Sequence, residues 1–494
     1  MIKFAEAANK IKKYLKDNKG ILALLGCIYL ITLYPLFRAN FNYRDDGGRV
    51  LWAFDGWQNF GRVTSNTLSH IIHADTYLKD ISPLTQIIAI VIIVLASLAL
   101  LKIICGDRKL TAWDAICVLP LGLFPYFLCC FSYKFDSPYM ALSVLVSVVP
   151  LLLRKNKKAY YIAAFVCTML MCTTYQASAG IFPMLVVYTA FADWKNGEDG
   201  RKTIKYCLFS ALAYAAAMLL FLAFVPINDG GYVEEKVSFG VLSIKHIIEN
   251  YITYISTFKD DFRIKWFAVI AIISVVTAVR SVIDTKRNKL VTLVLCGVAY
   301  ALMLLLSFGA YPLLDEPFLM PRGMYGAGVF VTMICAGSIP TCWESDKKSL
   351  KIISRISVLA LGWLCVVFTC TYGNSLSAQK SYDEFRAHEV AEELAELEPV
   401  MNGEDIRIQL VGNAGYAAGI DGIPSDEILY RLMQPPFGGD NAWSALKLFG
   451  FCGLPDMESV DVFAADEYQS WSIAHENCYH TIYVQGNDIV VELK

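Results

Sequence analysis

Ser82-Pro-Leu-Thr-Gln86-Ile-Ile-Ala-Ile-Val-Ile-Ile-Val-Leu-Ala-Ser97-Leu-Ala-Leu-Leu-Lys102-Ile-Ile104 runs for 23 residues with no charge before Lys102. About 17 to 25 apolar residues in a helix span a hydrocarbon core of about 30 Å, so this stretch reads as a transmembrane helix. Ten more runs share its character: 21–37, 112–131, 137–153, 159–175, 177–192, 204–226, 264–280, 290–310, 324–341 and 352–372. Of the 494 residues, 56% are hydrophobic and 18% charged, and the mean hydropathy of +0.46 is too high for a soluble globule of this size. The expected architecture is an all-α polytopic membrane bundle of about 11 transmembrane helices, residues 1–372, followed by a small α/β domain, residues 373–494.

Lys and Arg set the orientation. Lys3, Lys10, Lys12, Lys13, Lys16 and Lys19 precede the first run, and alternate loops continue the bias, among them Arg154/Lys155/Lys157/Lys158 and Lys347/Lys348/Lys351/Arg355. These segments are expected on the cytoplasmic side. The intervening connections 38–81, 132–136, 227–263 and 311–323, and the tail after 372, are then extracytoplasmic. Residues 2–16 place Phe4, Ala8, Ile11 and Leu15 on one helical face, as a helix lying on the inner leaflet would. No basic patch with interleaved aromatics points to nucleic acid.

Most of the 15 cysteines fall inside the apolar runs, where Cys acts as a small apolar residue. Cys452 and Cys478 lie in the tail, and the sequence leaves a disulfide between them open. In that tail Ser381–Glu398 reads as an acidic amphipathic helix, Asp405–Val411 as a strand, and Thr481–Val484 with Asp488–Leu493 as a hairpin. Gly412-Asn-Ala-Gly415-Tyr-Ala-Ala-Gly419 lacks the spacing of a dinucleotide-binding loop and reads as a turn.

The loop 38–81 carries the polar chemistry. It holds five acidic and five basic residues besides Trp52, Phe54, Trp57 and Phe60. Asp45-Asp46 suits a helix cap, but a cap does not account for Arg44, Arg49 and Arg62 in the same loop. Neighbouring carboxylates disfavour each other's ionisation, which raises one towards a proton-accepting range. Arginine forks suit phosphate. Lys134 and Asp136, Tyr175-Gln176, Asp260-Asp261 with Arg263, and Arg322 are further candidates on the same face. His70 and His73 stand three apart without a third ligand, so no metal is expected.

Asn42-Tyr-Arg-Asp-Asp-Gly-Gly-Arg49, Gly56-Trp57 with Gly61-Arg62, Asp80-Ile-Ser-Pro-Leu-Thr-Gln86, Tyr133-Lys-Phe-Asp136 and Tyr175-Gln-Ala form an ordered series that resembles the glucosyl transferase II family over about residues 20–330. The resemblance implies a GT-C type fold, with a catalytic aspartate in the first outer loop. It implies a polyprenyl-phosphate sugar, typically undecaprenyl-phosphate glucose, as donor, and no other cofactor. The acidic role falls on Asp45 or Asp46 and phosphate contacts on Arg49 or Arg62, aided by Lys134 and Arg322; Asp136, Tyr175, Gln176 and Trp57 line the substrate. The family decorates O-antigen and other surface glycans. The implied setting is thus the bacterial cytoplasmic membrane, with a surface glycan as acceptor and with a flippase and a polyprenyl-phosphate glucose synthase as cooperating proteins.

A lipid-linked sugar flippase is the rival class. The hydropathy shows neither an internal repeat nor the broken-helix pairs of carriers. The charge bias makes a direct prediction: alkaline phosphatase fused after Lys494 is active, because export is needed for its folding, and an inactive fusion at equal expression reverses the assigned topology.

Overall fold

The computed structural model describes residues 12–225, 241–339, 347–420 and 426–494. In chain order the helices used below are α1 (Lys19–Ala39), α2 (Asp46–Trp52), α3 (Val63–His73), α4 (Leu84–Cys105), α5 (Ala112–Leu123), α6 (Pro125–Ser132), α7 (Ser137–Leu153), α8 (Lys157–Thr174) and α9 (Gln176–Lys195). They continue with α10 (Gly200–Phe224), α11 (Val241–Asp261), α12 (Ile264–Ile283), α13 (Lys289–Leu306), α14 (Gly326–Gly337), α15 (Lys348–Ala395), α16 (Glu427–Leu432) and α17 (Ala442–Phe451). The proposed inner-leaflet helix 2–16 lies mostly outside the described residues.

Each of the eleven apolar runs contains helix among the described residues, but of these helices only α1, α4, α9, α10, α12, α13 and α15 are long and apolar enough to cross a membrane, or eight spans if α5 and α6 count as one. The expectation of eleven therefore needs correction at four places. α5 and α6 meet at a 62° bend: Pro125 has no N–H to give and pushes Phe124 to ψ 136°, out of the helical region. This is a broken helix that the hydropathy did not reveal. α7 is a shorter apolar helix, and α8 starts on Lys157-Lys158 and carries several polar residues. α14 has 12 residues, every one buried. Apolar composition alone does not separate a helix buried in protein from one that faces lipid. The long helices differ in that their outer faces stay apolar, with Ile204, Leu208, Leu212 and Leu219 of α10 and Leu290, Val294 and Val298 of α13 exposed.

Residue spacing accounts for the packing of α1 on α15. Leu25, Tyr29, Leu33 and Leu36 recur at helical spacing and are buried on α1. Val358, Leu361, Cys365, Phe368, Tyr372 and Leu376 do the same on α15, and the two helices pack along each other. At their crossing a Cβ on Gly373 would come within 2.5 Å of the Leu36 backbone nitrogen and 2.7 Å of the Pro35 carbonyl carbon.

α15 is 48 residues long, so it passes through residue 373 unbroken and ends among the C-terminal strands. Ala387, Val390, Ala391 and Leu394 on its last turns pack on a five-stranded sheet of order β2-β1-β5-β4-β3, in which β1 (Arg407–Val411), β2 (Glu458–Ser459) and β5 (Asp488–Leu493) are parallel while β3 (Ser472–Glu476) and β4 (His480–Gln485) pair antiparallel. The β4–β5 hairpin turns at Gly486-Asn487, where Gly486 takes a φ of 60° that costs glycine nothing. The glycine-rich stretch after β1 is a turn, with Gly412 and Gly415 both at positive φ. Cys452 and Cys478 are both free and exposed.

This small domain is bolted to the helices. Asp426 accepts from the Arg263 N–H at 3.0 Å and the Trp266 indole at 3.1 Å. Arg431 pairs with the buried Asp261, which also accepts from the Tyr126 hydroxyl. The Tyr43 hydroxyl donates to the Leu432 carbonyl at 2.8 Å, tying the domain to the loop 38–81.

Two glycines of α15 test the packing. Gly373→Ala forces backbone apart and should cost about 1–3 kcal/mol, lowering the melting temperature in detergent. Gly362→Ala meets only Ile116 and Leu119 methyls, at 3.6 and 3.7 Å, and should be neutral or slightly stabilising. Equal effects would contradict the close crossing.

Candidate active site

Arg44 adopts a left-handed φ of 50° and reverses the chain immediately before Asp45-Asp46. The two carboxylates then meet different surroundings. Asp46 opens α2 and is fully buried; its Oδ2 accepts from the Lys134 N–H at 2.9 Å and the Tyr43 N–H at 3.3 Å, while Oδ1 has no partner. Burial raises its pKa to about 8, against the lowering by the Lys134 N–H and the Arg49 charge. Asp45 is only half-buried, and among the described residues its carboxylate has no hydrogen bond or ion pair. It sits instead in the field of Arg322, Arg49 and Lys447.

The predicted cations divide the same way. Arg49 is buried and ion-paired with Asp136, whose other oxygen accepts from the Trp57 indole at 2.5 Å; the guanidinium lies 4.3 Å from the Trp57 ring centre. Lys134 is buried and donates to Asp80 at 3.0 Å and Asn42 at 2.7 Å. Burial opposes ionisation of Asp80, but Ser82 and Lys134 outweigh it and hold its carboxyl below the usual range. Arg62 and Gln176 come together: Arg62 Nε donates to Gln176 Oε1 at 3.2 Å, Gln176 Nε2 donates to the Phe60 carbonyl, and the guanidinium lies 4.7 Å from the Tyr175 ring centre. The neutral Gln176 leaves the Arg62 charge uncancelled.

Arg322 donates to the Tyr133 hydroxyl at 2.6 Å, and the Tyr175 hydroxyl donates to the Arg322 carbonyl at 3.3 Å. Burial works against the Arg322 charge, yet Tyr133, Tyr175 and Asp45 outweigh it and keep the pKa raised. Its Nε is buried and unpartnered. Arg44, within its field, has no side-chain hydrogen bond or ion pair among the described residues. Arg44, Arg322 and Arg62 thus surround Tyr133 and Tyr175 with three cations against the single free carboxylate of Asp45. Such an excess suits a phosphate.

A cavity of about 370 Å³ is lined by Leu36, Phe37, Phe41 and Leu376 together with Lys134, Asp80, Ser132 and Gln86, so that of the charged groups above it is the Lys134–Asp80 pair that reaches it. Asp261 belongs to the Arg431 anchor rather than to this cluster. His70 faces Asp55 at 3.3 Å, whereas His73 bonds the Ser69 carbonyl at 3.0 Å. Among the described residues no group of three or more His, Cys, Asp or Glu is placed to hold a metal.

Lys447 of α17 was not singled out by its sequence. It is buried, donates to the Arg44 carbonyl at 3.5 Å, and rests its stem on Gly47, where a Cβ would meet Lys447 Cδ at 3.1 Å. The only local sign is a lone cation in the otherwise uncharged Ala442–Phe451.

Residues 34–333 match the family described as Glucosyl transferase GtrII. The chain is also 23% identical, over 445 residues, to an uncharacterized 55.3 kDa protein in the gtrB 5' region of Salmonella phage P22, covering 87% of this chain and 90% of that protein. No solved structure matches.

The state of Asp46 has a measurable consequence. Its carboxyl is raised in the fold above an unfolded value near 3.8, so the native protein holds a proton that the unfolded chain releases, and stability falls as pH rises from about 4 to about 8. Asp46→Asn carries no such proton. Its melting temperature should drop less between pH 5 and pH 8 than that of the unaltered protein, and parallel curves would exclude a neutral Asp46.

Proposed function

Because the chain belongs to the GtrII glucosyl transferase family, we propose that it is an integral-membrane glycosyltransferase of the bacterial cytoplasmic membrane that transfers glucose from a polyprenyl-phosphate carrier to a surface glycan, such as O-antigen, on the outer face. One observation carries the assignment of roles: adjacent aspartates of which one is committed and the other is free among cations. Asp45 is the general base. Asp46, neutral and tied to the Lys134 and Tyr43 N–H groups, holds the loop.

Arg322, Arg62 and Arg44 receive the donor phosphate; Arg49 and Lys134 are neutralised by Asp136 and Asp80 and set the position of the loop. The cavity beside Lys134, apolar on one side, receives the first part of the polyprenyl chain. The acceptor hydroxyl oxygen attacks the anomeric carbon as its proton passes to Asp45. The bond from that carbon to the phosphate oxygen breaks, its electron pair leaves with the polyprenyl phosphate, and the configuration inverts in this single displacement. The three arginines stabilise the charge that grows on the departing phosphate. Tyr175 and Trp57 wall the site, Gln176 orients Arg62, and Asp136 orients Arg49 and Trp57.

Purified protein supplied with radiolabelled undecaprenyl-phosphate glucose and candidate surface glycans should yield labelled glycan. Asp45→Asn should lower turnover about 100- to 10,000-fold while leaving donor binding intact, and Arg322→Ala should raise the donor KM about tenfold or more. Transfer from UDP-glucose without a lipid carrier would overturn the donor assignment, and full activity of Asp45→Asn would overturn the base. Translocation of the lipid without transfer would favour a carrier.

A further inference from the structure

A second pocket, of about 70 Å³, opens where the first outer loop meets the C-terminal domain. Its loop wall is Arg44 and Gly47, the residues that flank Asp45-Asp46, and its domain wall is Phe437, Asn441, Ser444 and Lys447. The opposing walls are fixed in place. The Phe437 N–H donates to the buried Asp383 at 3.1 Å, Gln434 donates across the junction to the Asn42 carbonyl at 3.3 Å, and the Lys447 stem packs on Gly47.

The lining is built for a hydroxylated ring. The Ser444 hydroxyl and the Asn441 side-chain amide have no hydrogen-bond partner among the described residues, so each is free to bond a ligand oxygen. Phe437 and Phe451 supply apolar surface of the kind a pyranose C–H face packs on, and Phe451 is 43% exposed. Charge narrows the class further. Among the lining residues Arg44, Lys380 and Lys447 are largely offset by Asp383 and Glu384, which leaves little excess to favour an anion. Burial also pushes the Lys447 amine down to about 7, so near neutral pH it is partly uncharged.

We propose that this cleft is the acceptor site: it binds a neutral hexose unit of the receiving glycan and presents a hydroxyl to Asp45. The inference rests on the glycosyl-transfer reading above and assigns to the C-terminal domain the choice of acceptor. The rest of the glycan extends into solvent, since the pocket has room for little beyond one ring edge. The donor cavity lies against α1 and α15 and the acceptor cleft against α17, with Phe41 in the lining of both.

The test is calorimetric titration of the purified full chain with the methyl pyranosides of glucose, galactose, mannose and rhamnose. At least one is expected to bind. Ser444→Trp, which fills the cleft, should weaken that binding about tenfold or more, and Asn441→Ala should weaken it less. Both variants should bind undecaprenyl-phosphate glucose as the unaltered protein does, and Asp45→Asn should keep the saccharide affinity. Absence of binding by all four glycosides, or unchanged binding by both cleft variants, overturns the proposal. Saccharide binding that responds to the cleft variants, in a protein that transfers nothing from the lipid donor, sinks the transferase reading and leaves the saccharide site standing.

Discussion

A guanidinium buried inside a protein has to be paired, and Arg49 is where this chain meets that constraint. It lies inside the protein, ion-paired with Asp136 and stacked near Trp57, whose indole holds the second oxygen of the same carboxylate. Loss of one partner from such a pair costs about 3–5 kcal/mol, because the remaining charge stays buried. The clamp joins α2 in the loop 38–81 to the start of α7. A few residues away, the Lys134 N–H on Asp46 and the Lys134 ammonium on Asp80 repeat the connection. A loop of more than forty residues is thereby folded onto the helices instead of drifting in solvent.

The clamp gives the remaining charges their meaning. Once Arg49 and Lys134 are spent on Asp136 and Asp80, Asp46 is sealed beneath them as a neutral acid, and the groups left without a counter-charge of their own are Asp45, Arg44, Arg322 and Arg62. The distinction is one of environment and not of residue type. Asp45 and Asp46 are adjacent and chemically identical, but only one is enclosed, and burial decides which of them is left open to a substrate. The same logic separates Arg49 from Arg322. Arg49 is buried and Arg322 half-buried, and the second faces a phenol where the first faces a carboxylate.

Much of this was legible in the sequence, for reasons that can be traced. Helical runs such as 82–104 declare themselves through length and composition, and β1 and the β4–β5 hairpin through alternation and the Gly486-Asn487 turn. The cluster 42–49, 57, 62, 133–136, 175–176 and 322 was visible as polar residues that recur on one predicted side of an apolar chain. Its division into paired and free charges was not, because pairing depends on contacts such as Arg49–Asp136, 87 residues apart. The count of spans failed for a related reason. α14 is as apolar as any lipid-facing helix, but it is short and wholly enclosed by its neighbours. Lys447 was the least legible, since it meets Arg44 across 403 residues and carries no local motif.

That distance explains why the C-terminal domain is attached as it is. A domain that merely followed the last span would need no contact with the first loop, yet Tyr43 bonds the Leu432 carbonyl, Gln434 the Asn42 carbonyl, and Lys447 the Arg44 carbonyl. All three contacts fall on residues 42–44, the turn that delivers Asp45. Backbone carbonyls are their acceptors in every case, and those of Asn42 and Arg44 lie on the turn itself, so the path of the chain is held while the Arg44 guanidinium and the Asp45 carboxylate are left unpaired among the described residues. Arg263, Trp266 and Arg431 add anchors far from that turn and keep the domain from pivoting about it. The domain therefore acts on the position of a neighbouring carboxylate through main-chain geometry, while the free side chains on its own surface, Asn441 and Ser444, remain available to whatever approaches that carboxylate from the aqueous side.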